Sequence, residues 1–156
     1  MERQQFIVRP LAPGDRLAWE RLFHGYAAFY KRTLSDAQLD TVWSWVFDTQ
    51  QMIALVAVPE TGGEPVGLAH LREWIRPLRT TNNGYLDDLF VDPSWRGSGA
   101  VDALYDAMDA LGRERGWDVI RWTTADDNHR ARSVYDKVAT RTWWVTYDMT
   151  PGQPSA

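Results

Sequence analysis

Tyr85-Leu-Asp-Asp-Leu-Phe-Val-Asp-Pro-Ser-Trp-Arg-Gly-Ser-Gly-Ala-Val-Asp-Ala-Leu104 decides the reading of this chain. It begins as a strand, breaks at Pro93, turns through Arg96-Gly-Ser-Gly99 and continues as a helix. Gly97 and Gly99 let the backbone turn tightly and approach a ligand closely. A helix N-terminus presents unpaired N–H groups at the positive end of the helix dipole, and Arg96 adds a fixed charge. Such a turn suits a phosphate or pyrophosphate.

Outward from that stretch, the chain alternates short strands and helices. Phe6–Pro10 reads as a first strand, and Pro13 and Asp15 open a helix to about Lys31 with Leu17, Leu22 and Phe29 among its apolar positions. Ser35-Asp-Ala-Gln38 has the form of a capping box, predicting a second helix to about Thr49. Met52–Val58 is an apolar run of strand length, Pro59–Pro65 a turn, and Val66–Ile75 the returning strand of a hairpin. Arg76–Asn83 reads as a polar loop. After Gly99 a helix to about Arg115 carries Val101, Leu104, Met108 and Leu111 on one face, with Gly116 ending it. Val119–Thr123 reads as a strand, Asn128–Ala139 as a helix and Thr142–Met149 as a last strand. The expected fold is α/β, with a mixed sheet in one domain over residues 1–150 and a loose tail at 151–156. The strand–helix–strand unit at its centre should be a parallel crossover.

Composition narrows the function. The 156 residues suit one domain with its own core. Absence of cysteine excludes disulfides, thiolate metal sites and a cysteine nucleophile, and suits a cytoplasmic protein. The polar Met1–Gln5 start lacks the apolar run of a signal peptide, and no run is long enough to span a bilayer. A net charge of −4 argues against nucleic acid as main partner and fits a cationic substrate. Three scattered histidines without a His-Glu-x-x-His pattern give no metal site. The nine tryptophans read chiefly as packing.

The glycine turn is neither of the commoner phosphate motifs. A P-loop needs Gly-Lys followed by Ser or Thr. A dinucleotide fingerprint normally follows the first strand, whereas this turn follows the fourth. Arg-x-x-Gly-x-Gly/Ala after Leu-Phe-Val-Asp-Pro instead resembles the acyl-CoA motif of the GCN5-related N-acetyltransferases (GNAT). Asn128 and Tyr135 on the next helix, Arg132-Ser-Val-Tyr-Asp-Lys-Val-Ala139, His24-Gly-Tyr-Ala-Ala-Phe-Tyr30 and Gly67-Leu-Ala-His70 extend the resemblance to nearly the whole chain. They resemble the subgroup that includes the yeast histone and other protein acetyltransferase and its bacterial relatives. One position departs: Val101 stands where the family usually has Gly or Ala, and its side chain would crowd a pyrophosphate if it pointed inward.

The resemblance implies a central sheet of about six to seven strands flanked by about four helices. It also implies transfer of acetyl from acetyl-CoA, as co-substrate and without metal, to an amine. The amine must lose a proton before attack and the leaving thiolate must gain one. No enzyme nucleophile is needed. Tyr135 is the implied general acid. Asp87, at a position where some relatives carry glutamate, is the implied base, acting through water because aspartate is shorter. Alternation along a strand should send Asp87 and Asp88 to opposite faces. The main-chain N–H groups of Leu89, Phe90 and Val91 would meet the pantetheine arm. Arg96, Gly97, Ser98, Gly99, Ala100 and Val101 would cradle the pyrophosphate, and Asn128 would either bond near the pantetheine or cap its helix. Tyr26, Tyr30, Trp43, His70 and Trp74 are the candidates for the acceptor side. The relatives often dimerise, and Trp143-Trp144 on the last strand offers apolar surface for a homodimer. A second reading is a module that binds acyl-CoA as a sensor without catalysis.

Overall fold

The structure is a computed structural model that describes residues 4–153. Its chain forms two compact units, one up to Thr123 and one from Thr124 onward.

The first unit holds a five-stranded sheet in the order β1-β2-β3-β4-β5. The strands are β1 (Phe6–Pro10), β2 (Ile53–Pro59), β3 (Gly67–Arg76), β4 (Thr81–Val91) and β5 (Ile120–Arg121). Neighbours from β1 to β4 are antiparallel, and β4 pairs with β5 in parallel. Helices α1 (Arg16–Phe29), α2 (Asp36–Phe47) and α3 (Ala100–Arg115) complete this unit.

The apolar run of β2 is continuous because both of its faces are covered. Leu55 and Ala57 pack with Leu104 and Met108 of α3, whereas Ala54 and Val56 pack with Trp19, Leu22 and Phe23 of α1 and Leu39 of α2. Each such fully buried Leu or Met side chain contributes about 1.5–3 kcal/mol. The inward face of α1 is Ala18, Trp19, Leu22, Phe23 and Ala27. Leu17 and Phe29, expected among its apolar positions, are exposed instead, because they fall outside the stripe set by Trp19 and Leu22. Gly25 leaves room for Phe90, whose ring would lie 2.8 Å from an added Cβ.

Local signals place the helix ends. Ser35 accepts from Gln38 N and the Gln38 side chain returns to Ser35 N, the reciprocal capping box expected there. Gly116, at φ 67°, ends α3 in the left-handed region that glycine adopts without strain.

Two expectations about strands fail. Arg76–Asn83 is not a loop: a 3-10 turn at Pro77–Arg79 leads straight into β4, which starts at Thr81. Buried Asn83 explains the longer strand, since its Oδ1 accepts from Asp118 N (3.0 Å) and Val119 N (3.1 Å) and staples the start of β5. The second unit contains α4 (His129–Val138), and residues 140–149 form no strand. A strand needs a partner for its backbone groups, and no second strand lies between Thr124 and Gln153. The sheet therefore has five strands, not six to seven. Trp143 and Trp144 are 91% and 82% exposed. Of the expected tail, Pro151–Gln153 is a turn and residues 154–156 lie outside the described residues.

Candidate active site

The site is built on β4. Toward β5 its pairing is brief: Gly84 meets Ile120 and Tyr85 meets Arg121, after which β5 ends. From Leu86 to Val91 no strand of this unit pairs with that edge of β4.

A bulge decides what β4 presents there. Its register against β3 steps from Leu71↔Leu86 to His70↔Asp88, leaving Asp87 as the extra residue. The packing shows the same step: Leu86, Leu89 and Val91 all pack in the α3-side cluster, although Leu86 and Leu89 are three residues apart. Asp92 N donates to Val66 O (2.9 Å), on the β3 side. Backbone groups alternate along a strand, so Phe90 N–H also faces β3, and the N–H groups of Leu89 and Val91 face the open edge. Phe90 is thus removed from the expected set of three main-chain donors.

The bulge also overturns the expectation that Asp87 and Asp88 face opposite sides. Asp87 takes two hydrogen bonds from Arg72 Nε, at 2.9 and 3.2 Å. Asp88 Oδ2 lies 2.9 Å from His70 Nδ1. His70 and Arg72 are two apart on β3 and share a face, so both carboxylates lie on that face, the α1 side. Burial pushes the Asp87 carboxyl above its ordinary value; Arg72 opposes the rise, and the neighbouring charge of Asp88 adds to it.

Of the candidates for the acceptor side, Tyr26 stands beside these carboxylates, with Tyr30 packed against it. Tyr26 Oη donates to Asp87 O (3.3 Å), and its ring meets Tyr30 edge-on at 5.1 Å. Burial first, then the charge of Asp88, raise the Tyr26 pKa, so the hydroxyl keeps its proton. Of the other three candidates, two are engaged elsewhere and one is buried beneath Asp88. Trp43 packs against Trp19 and Phe47, under the Arg16 guanidinium. Trp74, nearer the hairpin tip, donates to Gly84 O (3.3 Å) and lies between Arg76 and Arg121. His70 is 0% exposed and cannot line a pocket directly. Sequence reading missed Trp19 and Arg72. Arg72 carried a signal, being two residues beyond His70 on a strand; Trp19, 51 residues away, carried none.

After Val91 the chain turns into α3. Asp92 Oδ1 accepts from Ser94 N (2.9 Å) and Ser94 Oγ (2.6 Å), which fixes the turn and holds the Asp92 carboxyl below its ordinary value. Gly97 and Gly99 have φ of 78° and 104°, so both need the freedom glycine has. Ser98 is buried, and both its hydroxyl (2.6 Å) and its N–H (3.3 Å) donate to Trp95 O, so neither donor is left for a ligand. Ala100 is buried, and Val101 packs its side chain against the α3-side core, away from the crowded geometry its β-branch threatened. Arg96 is exposed at the start of the turn. The residues suit a pyrophosphate: glycine-rich backbone, first-turn N–H groups and a guanidinium within one short stretch.

In the second unit Asn128 caps α4, its Oδ1 accepting from Ala131 N (3.3 Å) and its Nδ2 donating to Thr124 Oγ1 (3.4 Å). The cap expected of Asn128 is present. Tyr135 lies on α4 seven residues after Asn128, two turns along and on the same side of the helix.

A strand with an open edge, leading through a glycine turn into a helix N-terminus, suits an extended phosphate-bearing ligand. The family model described as "Acetyltransferase (GNAT) family" matches residues 19–139, and the chain belongs to this family. It is an N-acetyltransferase, and enzymes of the family use acetyl-CoA as co-substrate. It is 27% identical over 148 residues to a D-amino-acid N-acetyltransferase of Saccharomyces cerevisiae, covering 94% of this chain and 92% of that one. It is 26% identical over 153 residues to an aminoglycoside N(6')-acetyltransferase type 1 of Stenotrophomonas maltophilia, covering 96% and 95%. Among solved structures, an aminoglycoside N-acetyltransferase AAC(6')-Iy in complex with CoA superposes with a TM-score of 0.80 at 16% identity, covering 95% of this chain and 96% of that one. At that identity the likeness concerns the fold.

Proposed function

We propose that this chain transfers the acetyl group of acetyl-CoA to a primary amine that attacks the thioester directly. The observation that carries the reading is the open edge of β4, where the N–H groups of Leu89 and Val91 point outward on a strand that runs into the N-terminus of α3. In this reading the two N–H groups bind the pantetheine arm as an added strand would. Arg96 and the main chain of Gly97, Gly99, Ala100 and Val101 hold the pyrophosphate. Asp87, whose carboxyl is already more basic than usual, accepts the amine's proton through water. Tyr135 donates a proton to the leaving thiolate, and the Asn128 cap fixes where α4 begins and hence where Tyr135 stands along it.

The bound thioester supplies the activated acyl group, so the protein needs no nucleophile of its own. The acceptor is a cationic amine, for which two adjacent carboxylates beside Tyr26 and Tyr30 are suited. D-amino acids and aminoglycosides, named for two of the relatives, both carry such amines.

The test is release of CoA thiol from acetyl-CoA across a panel of D-amino acids, aminoglycosides and polyamines, alongside calorimetric titration with acetyl-CoA. Acceleration of thiol release by an amine is expected. Binding of acetyl-CoA with no acceleration by any amine would replace catalysis with the sensor reading. No binding at millimolar acetyl-CoA would overturn both.

A further inference from the structure

Behind the acceptor face lies a polar chain that the reaction outlined above leaves without a role. Trp19 and His70 are both fully buried, on α1 and β3. Trp19 Nε1 donates to His70 Nε2 at 2.8 Å, and His70 Nδ1 meets Asp88 Oδ2 at 2.9 Å. An indole N–H only donates, so Nε2 must be the bare nitrogen and the proton must sit on Nδ1, pointing at Asp88. Trp19 and Phe23 wall the ring, the latter edge-on at 4.9 Å. The imidazole is therefore neutral and held in one tautomer.

That tautomer separates the two neighbouring carboxylates. Asp87 faces the Arg72 guanidinium, which cancels its charge. Asp88 faces a neutral N–H, which aims the carboxylate and leaves its charge uncompensated. A carboxylate has about four lone-pair sites, and the Asp88 side chain keeps 20% exposure beside Tyr26. Of the pair, Asp88 is the net anion offered to an incoming cation.

We propose that Asp88 binds the ammonium group of the acceptor, and that Trp19 and His70 are positioning residues that aim its carboxylate. The proposal rests on the acetyltransferase reading only for the identity of the ligand as an amine; the geometry stands without it. A staple that merely tied β3 to α1 would affect stability and leave amine affinity alone.

The experiment is calorimetric titration of D-lysine and of kanamycin into the CoA-loaded protein, so that binding is read apart from turnover. Asp88→Asn keeps an oxygen to accept from His70 and removes only the charge. It should weaken amine binding by about tenfold or more, the size of a charge-assisted hydrogen bond, with CoA affinity unchanged. Trp19→Phe keeps an aromatic ring and removes the N–H. It should weaken amine binding about threefold or more, part of a hydrogen bond's worth, and nitrogen-15 spectra should show His70 leaving the single Nδ1–H tautomer of the parent protein. Unchanged amine affinity in Asp88→Asn, a Trp19→Phe protein that loses only melting temperature, or a parent protein that binds neither probe would each overturn the proposal. An amine that binds through Asp88 yet releases no CoA would sink acetyl transfer and leave this site standing.

Discussion

Asp87 and Asp88 are consecutive in β4, yet both carboxylates lie on the α1 side of the sheet, one on Arg72 and the other on His70. The bulge that breaks strand alternation makes this possible, and it also turns the N–H groups of Leu89 and Val91 to the open edge. One irregularity thus sets both the proposed acceptor face and the proposed co-substrate edge.

Asp87→Asn removes the proposed base. The expected loss in kcat/KM is about a hundredfold, with acetyl-CoA affinity unchanged. In the parent enzyme the base works when deprotonated, so activity rises with pH through a carboxyl value above the ordinary 3.8. Arg72 holds that value down, so Arg72→Gln should move the acid limb of the pH–rate profile upward, and Asp87→Asn should abolish it. Steady-state kinetics between pH 4 and 8 read both, and an acid limb that survives Asp87→Asn would assign it to another group.

Tyr135→Phe tests the proposed acid. Turnover should fall by roughly a hundredfold or more while calorimetry gives the parent affinity for acetyl-CoA. An unchanged rate removes Tyr135 from the mechanism.

Val101 packs into the core, so it should not limit binding of the co-substrate. Val101→Ala should leave the acetyl-CoA dissociation constant within about twofold and lower stability by about 1–2 kcal/mol through lost apolar burial. Tighter binding in the variant would mean that the valine crowds the pyrophosphate after all.

Gly84 sits where β4 and β5 pair, and an added Cβ would fall 2.4 Å from the Trp117 ring. That ring is itself tied to Glu73 through its Nε1 (3.0 Å). Gly84→Ala should therefore cost about 1–3 kcal/mol by overpacking, visible as a lower denaturation midpoint.

Asp15 accepts from Arg9 at 2.6 and 2.9 Å and from Ala12 N at 2.8 Å. The Arg9 hydrogen bonds hold its carboxyl below the ordinary 3.8. A depressed carboxyl stabilises the folded chain fully above the unfolded value, and the benefit fades as pH falls through the folded value. Asp15→Ala should cost about 1.5–3 kcal/mol near neutral pH, and the gap to the parent protein should close only under acid below that range. Thermal denaturation against pH reads the closure.

Local chemistry was legible in the sequence because it acts within a few residues. The Ser35–Gln38 capping box, the Gly116 stop and the Arg96–Gly99 turn each resolve the backbone groups of their own neighbourhood. The apolar run of β2 announced a strand covered on both faces, and the motif from Leu89 to Val101 named the family. Leu86-Asp-Asp-Leu89 even held the bulge, as two apolar residues three apart in a strand, had the interruption of alternation been followed.

Tertiary structure alone decided the rest. Asn83 became part of a strand because Asp118 and Val119, 35 and 36 residues on, needed its carbonyl. Thr142–Met149, with strand-like composition, formed no strand, since sequence supplies a strand's residues but not its partner. Trp19, His70 and Asp88 meet only when α1 packs on the sheet, and which imidazole nitrogen the indole occupies decides what His70 turns toward Asp88. Hydrogen bonds between distant segments leave no periodicity along the chain, so the proposed acceptor face could be read only once the chain had folded.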